Sequence, residues 1–566
     1  MNRFFKKVVY NNIPTIIFFL IITIYLSFPF FKDINFIGHD LEFHLLRIKG
    51  ISSGLNAGIF PVKIYPNYFN NYGYANGIFY PDMFLYFPAI LHSLGIKLIT
   101  SFKIFMFCIN FATVFSIYIC IYQITKSKFS GLCGVILYSL SPYRLTDIYP
   151  RGALGEILSF IFIPIAILGI YEILFGNSKK WYIISIGFLG VLNSHIISFT
   201  LLCGLAVIFF IFNIKILISN KERLYNLLIA AGTSIMLSLW FLLPLLEQLL
   251  RDKFTVNTVN VGSNLTKAAL PPYELLNSFK FSSYTPIFEL PQNKLIIGLL
   301  LTILPIVCIC FSFRNTVKCN LNKFNHWCLS LGIISLLLCT SIFPWKLVKD
   351  IFSFMQFPWR LLIFATLFLC IYVSISIRNI IKKNIPRYIF LCILLIFSLI
   401  LTYPTLKAIN SLPLLGGYDF SLNTNNVGTG EYIPANTNLE ALLNRGEILT
   451  SNDSKLHTSN YIKNGNRIKF DFVSSSNNFY IDVPLLYYRG YEANITDENN
   501  NTYNLKVDSG ENNILRIYVK EHTKGTINIS YSKTPLSKVS HIVSFISLII
   551  IICLSLYKHK QIKLKS

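Results

Sequence analysis

The chain has 566 residues, 53% hydrophobic and only 13% charged, with a mean hydropathy of +0.55; this excludes a large soluble enzyme and indicates a polytopic α-helical membrane protein. Fifty Lys and Arg against 26 Asp and Glu give a formal charge of +24, which in a soluble protein would suggest a nucleic-acid partner. Here the basic residues recur in every second connection between apolar stretches, so they read as topology, and nucleic-acid binding is set aside.

The first span, 11–30, follows Arg3, Lys6 and Lys7 and lacks a small-residue cleavage site, so it reads as a retained helix and not a removed signal peptide. Further spans are expected at 102–123, 129–142, 154–174, 180–195, 197–216, 224–246, 291–313, 326–343, 359–378, 386–405 and 538–557, about twelve in all. The alternate connections carry Lys126 and Lys128; Lys179 and Lys180; Lys221 and Arg223; Arg314, Lys318 and Lys323; Arg378, Lys382, Lys383 and Arg387; and a basic tail. This pattern predicts a multi-pass cell-membrane protein with both termini in the cytoplasm. The twelve cysteines avoid the outer segments, so neither a disulfide framework nor a cysteine metal site is expected.

Three outer segments, 31–101, 247–290 and 406–537, are too long for simple turns. Residues 83–95 are apolar but short for a crossing, which favours an interfacial or re-entrant helix. From Asn410 to Lys533 the composition turns to Asn, Ser, Thr, Tyr and Gly. Strand-like runs at 467–473, 479–484, 503–507 and 514–519, separated by turn residues, predict an extracytoplasmic β-sandwich-like domain before the last span. The expected organisation is a membrane domain over 1–405 with its first outer loop at 31–101, a β-rich domain over 406–537, and a final helix with a basic tail over 538–566.

Residues 38–44 read Gly-His-Asp-Leu-Glu-Phe-His. A helix over 39–51 would place Asp40, His44 and Arg47 on one face, joining a base, an imidazole and a cation. Glu42 would point elsewhere unless the helix starts late. The plainer alternative is a solvated face with Asp40 paired to Arg47. A second polar stretch, 141–156, contains Arg144, Arg151 and Glu156; guanidinium groups suit a phosphate or pyrophosphate, and equally anchor at headgroup level. His195, in Asn-Ser-His-Ile-Ile-Ser, is a candidate donor to a phosphate or sugar hydroxyl, or a packing histidine. Arg360 in Gln-Phe-Pro-Trp-Arg suits a lipid phosphate beside an aromatic anchor. Glu431 stands in a glycine-framed turn, either leaning over a cavity or decorating a loop. The absence of Walker, dinucleotide, nucleophile-elbow and His-Glu-x-x-His motifs disfavours an ATP-driven pump and a serine or zinc hydrolase.

In combination, Asp-Leu-Glu-Phe-His at 40–44, Gly-Ile-Phe-Pro-Val-Lys-Ile at 58–64, Gly-Tyr-Ala-Asn-Gly-Ile-Phe-Tyr-Pro-Asp at 73–82, Arg-Gly-Ala-Leu-Gly-Glu at 151–156, Ser-His at 194–195, Phe-Pro-Trp-Arg at 357–360 and Gly-Glu-Tyr-Ile-Pro at 430–434 resemble bacterial membrane proteins labelled 6-pyruvoyl-tetrahydropterin synthase-related. These are similar to YfhO-like proteins, and both resemble GT-C-type glycosyltransferases. The resemblance implies transfer of a sugar from a polyprenyl-phosphate donor to a cell-envelope glycan or lipid acceptor on the outer face, among membrane lipids. It implies Asp40 as catalytic base, Glu42 as a second acid or ligand, and no obligatory cofactor, although an Asp-x-Glu pair could hold Mg²⁺ or Mn²⁺. A transporter or flippase for a lipid-linked sugar, and a non-catalytic envelope scaffold, are the competing classes.

Overall fold

The computed structural model describes residues 13–32, 38–258, 263–274, 296–312, 320–410 and 422–565. Among them, seven helices are long and apolar enough to cross a membrane: Ile13–Phe31, Leu98–Thr125, Leu154–Leu174, Lys221–Arg251, Pro358–Ile380, Asn384–Lys407 and Pro535–Cys553. The other five expected spans coincide with helices that are shorter or less apolar: Lys128–Ser139, Tyr182–Leu192, Ile196–Phe212, Leu299–Ser312 and Asn320–Leu338. Local chemistry accounts for two of these: Pro142 opens a new helix after Lys128–Ser139, and Tyr182–Leu192 gives way at Asn193 to a start capped by His195. Arg3, Lys6, Lys7, Arg314, Lys318 and Cys319 lie outside the described residues.

The described residues fall into two compact units. The first is drawn from Met1–Glu42, Phe102–Ser234 and Asn260–Asp419; the second from Phe43–Ser101, Ile235–Val259 and Phe420–Ser566. In the first unit, Pro358–Ile380 is the central helix, enclosed along nearly its whole length, as befits a helix apolar on every side. Small residues set the closest crossing. A Cβ on Gly169 would stand 2.4 Å from the Ile184 backbone nitrogen, and one on Gly187 2.3 Å from that of Ala166, so Leu154–Leu174 and Tyr182–Leu192 meet backbone to backbone.

In the second unit, the helix Leu41–Asn56 leads into a tyrosine-rich loop and a short apolar helix, Met83–Ser93, whose Met83, Phe87 and Ile90 are exposed. Its 11 residues are too few to cross, and one apolar face lies open, as expected of an interfacial segment. The last part of the chain forms an antiparallel sheet of eight strands: β1 Thr450–Ser451, β2 His457–Asn464, β3 Arg467–Val473, β4 Asn478–Leu486, β5 Tyr491–Thr496, β6 Thr502–Ser509, β7 Ile514–Lys520 and β8 Lys524–Tyr531. Their order is β1-β4-β7-β6-β5-β8-β3-β2.

Strand β6 joins the two halves of this sheet. Residues 502–505 pair with β5, and residues 506–509 pair with β7. The strands alternate buried and exposed positions, most regularly in β3, where Ile468, Phe470 and Phe472 point inward. Phe472 on β3 meets Phe479 on β4 with ring centroids 5.8 Å apart, so the halves share one core. The expected sandwich is thus realised as one curled sheet.

Candidate functional site

In the first unit, a carboxylate is set against a buried ion cluster by a turn that requires glycine. Residues Asp147–Arg151 form a π-helical turn around Pro150, closed by Gly152 at φ 61°, a left-handed conformation that glycine adopts without steric penalty. The backbone at Gly38 lies against this turn: a Cβ there would meet the Gly152 nitrogen at 3.0 Å, and a Cβ on Gly152 would meet the Leu41 nitrogen at 3.1 Å. The amide of His39 donates to the Pro150 carbonyl at 3.2 Å, and the amide of Asp40 to the Arg151 carbonyl at 2.8 Å.

Arg151 donates to both oxygens of Glu156, at 2.9 and 2.8 Å, and also pairs with Asp147. Its guanidinium stacks over the Trp359 ring at 4.3 Å. Glu156 is 2% exposed; it accepts from the Tyr143 hydroxyl at 3.0 Å and forms an ion pair with Arg360, whose Nε stands 2.9 Å from Oε1. Arg360 is held in turn by the Met355 carbonyl and Gln356. One carboxylate therefore ties two arginines and a tyrosine, a geometry in which paired charges tolerate burial.

Asp40 is half-buried at the edge of this cluster, and its carboxylate has no hydrogen-bond partner among the described residues. Burial raises its carboxyl above the ordinary value, while Arg151 and Arg360 pull it down and Glu156 pushes it up. Asp147 is fully buried, with one oxygen lacking a hydrogen-bond partner among the described residues. Burial lifts it well above the ordinary carboxylate value against the opposing charge of Arg151. A carboxylate of raised affinity for protons beside guanidinium groups can accept a proton while the cations receive developing negative charge.

Of the candidates named from sequence, Asp40, Arg151, Glu156 and Arg360 come together. His195 lies within electrostatic reach of Glu156, buried, with Nδ1 2.9 Å from Ser198 Oγ. Glu42 is exposed. Arg144 turns into the helical core, donating to Asn110 Oδ1 at 2.6 Å and to the Ser139 carbonyl at 3.2 Å. It is fully buried and so enclosed by protein. Asp147 and Tyr143 belong to the cluster and were missed. The Asp147–Arg151–Glu156 spacing of four and five was the signal that could have found the first.

The expected face of Asp40, His44 and Arg47 is corrected. The helix starts at Leu41, so Asp40 precedes its first turn. Arg47 has its own partners in the second unit: Asp82 Oδ1 at 2.6 Å, the Pro81 carbonyl at 2.6 Å, His44 Nδ1 at 3.1 Å and the Tyr80 ring at 4.1 Å. Tyr65 donates to the other Asp82 oxygen at 2.7 Å. Arg47, fully enclosed, therefore braces the first loop. Glu431 sits in a turn with Gly428 and Gly430 at positive φ, its carbonyl accepting from Val256 and its Oε2 buried without a hydrogen-bond partner among the described residues.

The first unit also contains an open, mainly apolar groove lined by Ser141, Pro142, Leu145, Leu299, Leu301 and Thr402 among others. Among the described residues, no three His, Cys, Asp or Glu side chains are grouped so as to hold a metal ion.

No protein-family model matches the chain. It is similar to an uncharacterized protein of Lactococcus lactis subsp. cremoris (strain MG1363), with 24% identity over 97% of this chain and 96% of that protein.

Proposed function

We propose that the protein is a membrane glycosyltransferase of GT-C type, akin to the pterin-synthase-related and YfhO-like membrane proteins, that moves a sugar from a polyprenyl-phosphate donor to an envelope glycan or lipid acceptor. The reading includes about twelve spans, cytoplasmic termini and the β-rich domain on the outer face. The observation that carries it is the Asp40 carboxylate, free of hydrogen bonds among the described residues and within electrostatic reach of Arg151 and Arg360. The acceptor hydroxyl oxygen attacks the anomeric carbon, its proton passes to Asp40, and the bond from that carbon to the phosphate oxygen breaks. Direct attack inverts the anomeric centre.

The leaving polyprenyl phosphate keeps its negative charge and is received by the guanidinium N–H groups that Glu156 leaves free, Arg360 Nη2 among them. Glu156 orients both arginines, and His195 lies within electrostatic reach of it. An Asp40–Glu42 pair holding Mg²⁺ or Mn²⁺ would add a Lewis acid at the donor phosphate; the outward exposure of Glu42 gives this little support. The test is transfer of labelled sugar from a panel of polyprenyl-phosphate sugars by purified protein in lipid vesicles, wild type against Asp40→Asn. Wild-type transfer that falls about a hundredfold or more in the variant supports the reading, this being the size of a lost general base. Equal transfer by both removes Asp40 from the role. Movement of labelled lipid across leaflets without transfer makes the protein a flippase.

A further inference from the structure

We propose that Lys63, Lys533 and His541, with the Trp240 ring as a wall, form a second site in the other unit that binds the phosphate of an anionic lipid. Lys63 is only 5% exposed, yet its ammonium makes a single hydrogen bond, to the Gly77 carbonyl at 3.3 Å, and otherwise faces the Trp240 ring 4.8 Å away. Two of its three N–H donors have no acceptor among the described residues. Asp82 is the carboxylate that acts on it, but both Asp82 oxygens are taken by Arg47 and Tyr65. Burial accordingly pulls the Lys63 ammonium down to about 8.

The same tryptophan carries the next group. The His541 ring lies edge-on to Trp240 at 6.2 Å. Its Nδ1 donates to the Ser537 carbonyl at 2.7 Å, and its Nε2 is buried without a partner among the described residues. The charge of Lys533 acts on both Lys63 and His541, and its own ammonium has no partner among the described residues. The carboxylates nearby are already engaged: Glu247 accepts from the Thr534 hydroxyl, and Glu492 pairs with Lys538. Three donors thus stand within electrostatic reach of one another, with no unengaged carboxylate beside them among the described residues, an arrangement that costs free energy until an anion is supplied. With Nδ1 committed as a donor, a phosphate at Nε2 favours the doubly protonated ring, in which Nε2 donates as well.

The ligand class follows from where these groups stand. Trp240 and His541 belong to two helices apolar and long enough to cross a membrane. These helices are pinned together by Ser544, whose hydroxyl accepts from the Trp240 amide at 3.0 Å and donates to the Met236 carbonyl at 2.8 Å. A tryptophan beside lysines on such helices is the usual dressing of the headgroup level.

The experiment counts lipid retained by the full-length protein, by native mass spectrometry, after transfer from vesicles of equal phosphatidylglycerol and phosphatidylcholine into mild detergent. Wild type should retain phosphatidylglycerol over phosphatidylcholine. Lys63→Gln and His541→Gln should each lose about tenfold in retention, Lys63→Arg should keep it, and Lys524→Gln, at an exposed pair with Glu498 on strand β8, should change nothing. Loss of bound phosphatidylglycerol on adding inorganic phosphate would place the phosphate group itself in the site. Binding of inorganic phosphate by a wild type that shows no lipid preference would make the ligand a free phosphate and overturn the lipid assignment. Equal retention by wild type and both Gln variants would overturn the site.

Discussion

Asp40 hangs from Arg151: its backbone amide donates to the Arg151 carbonyl at 2.8 Å, while the guanidinium of the same arginine grips both oxygens of Glu156. One residue thereby fixes the candidate base through its main chain and, through its side chain, the carboxylate that orients both arginines. Arg151→Lys keeps the charge and the main-chain bond but removes the two-pronged contact. Charge-assisted hydrogen bonds of this kind contribute about 1.5–3 kcal/mol. The expected result is faster thermal inactivation and a raised KM for the donor, with kcat falling less than in Asp40→Asn; steady-state kinetics on both variants separate the two effects.

Activity should depend on pH through Asp40. Its carboxyl is raised by burial, and a base acts only when ionised, so kcat/KM should rise with pH through a value above the ordinary carboxylate range and then level off. Asp40→Asn should lack this limb. The stability consequence has the opposite sense. A carboxyl whose value is raised on folding stabilises the protein fully below its unfolded value, and that contribution is lost as pH rises through the folded value. Asp40→Asn should therefore melt above wild type at neutral pH, with the gap closing in acid.

Glu156 should matter for the fold before it matters for chemistry. Glu156→Ala leaves Arg151 and Arg360 buried with their shared partner gone, and breaking a buried pair in this way costs about 3–5 kcal/mol. Glu156→Gln keeps the shape and part of the hydrogen bonding and should lose less. Thermal inactivation in vesicles orders the three proteins; Glu156→Ala as stable as wild type would refute this role.

Much of this architecture could be read from residue patterns, and what could not has a physical cause. Strand β3 matches its expected range, 467–473, because alternation is sharpest there. Strand β2 escaped notice because its side chains are almost all exposed and carry no inward pattern. Asp40, Arg151, Glu156 and Arg360 were marked by being charges at the edges of apolar runs. The partner of Arg47 was hidden because Asp82 lies 35 residues away, brought back by a loop whose path no periodicity encodes. Asp147 carries a weaker mark, a spacing of four to Arg151 that charges in a solvated loop show as well.

Gly152→Ala tests the turn that presents Asp40. A side chain at φ 61° costs about 1–2 kcal/mol, and the added carbon would press on the Leu41 backbone. Sugar transfer should show kcat reduced more than KM is changed, because the base moves while the arginines stay. Gly204→Ala, where an added carbon meets nothing within 4 Å, should leave both parameters as in wild type.

The braced first loop is completed by the opposite end of the polypeptide. Asn466 donates to the Ile64 carbonyl across 402 residues of sequence, Lys463 donates to the Asn71 carbonyl, and the Leu486 amide donates to the Tyr72 carbonyl. At ordinary rates of synthesis of about 5–20 residues per second, the loop waits some tens of seconds for those partners to be made. During that interval its backbone groups must be satisfied by water or by a chaperone, so biogenesis, more than the finished fold, is where truncation of the chain's final quarter would first be felt.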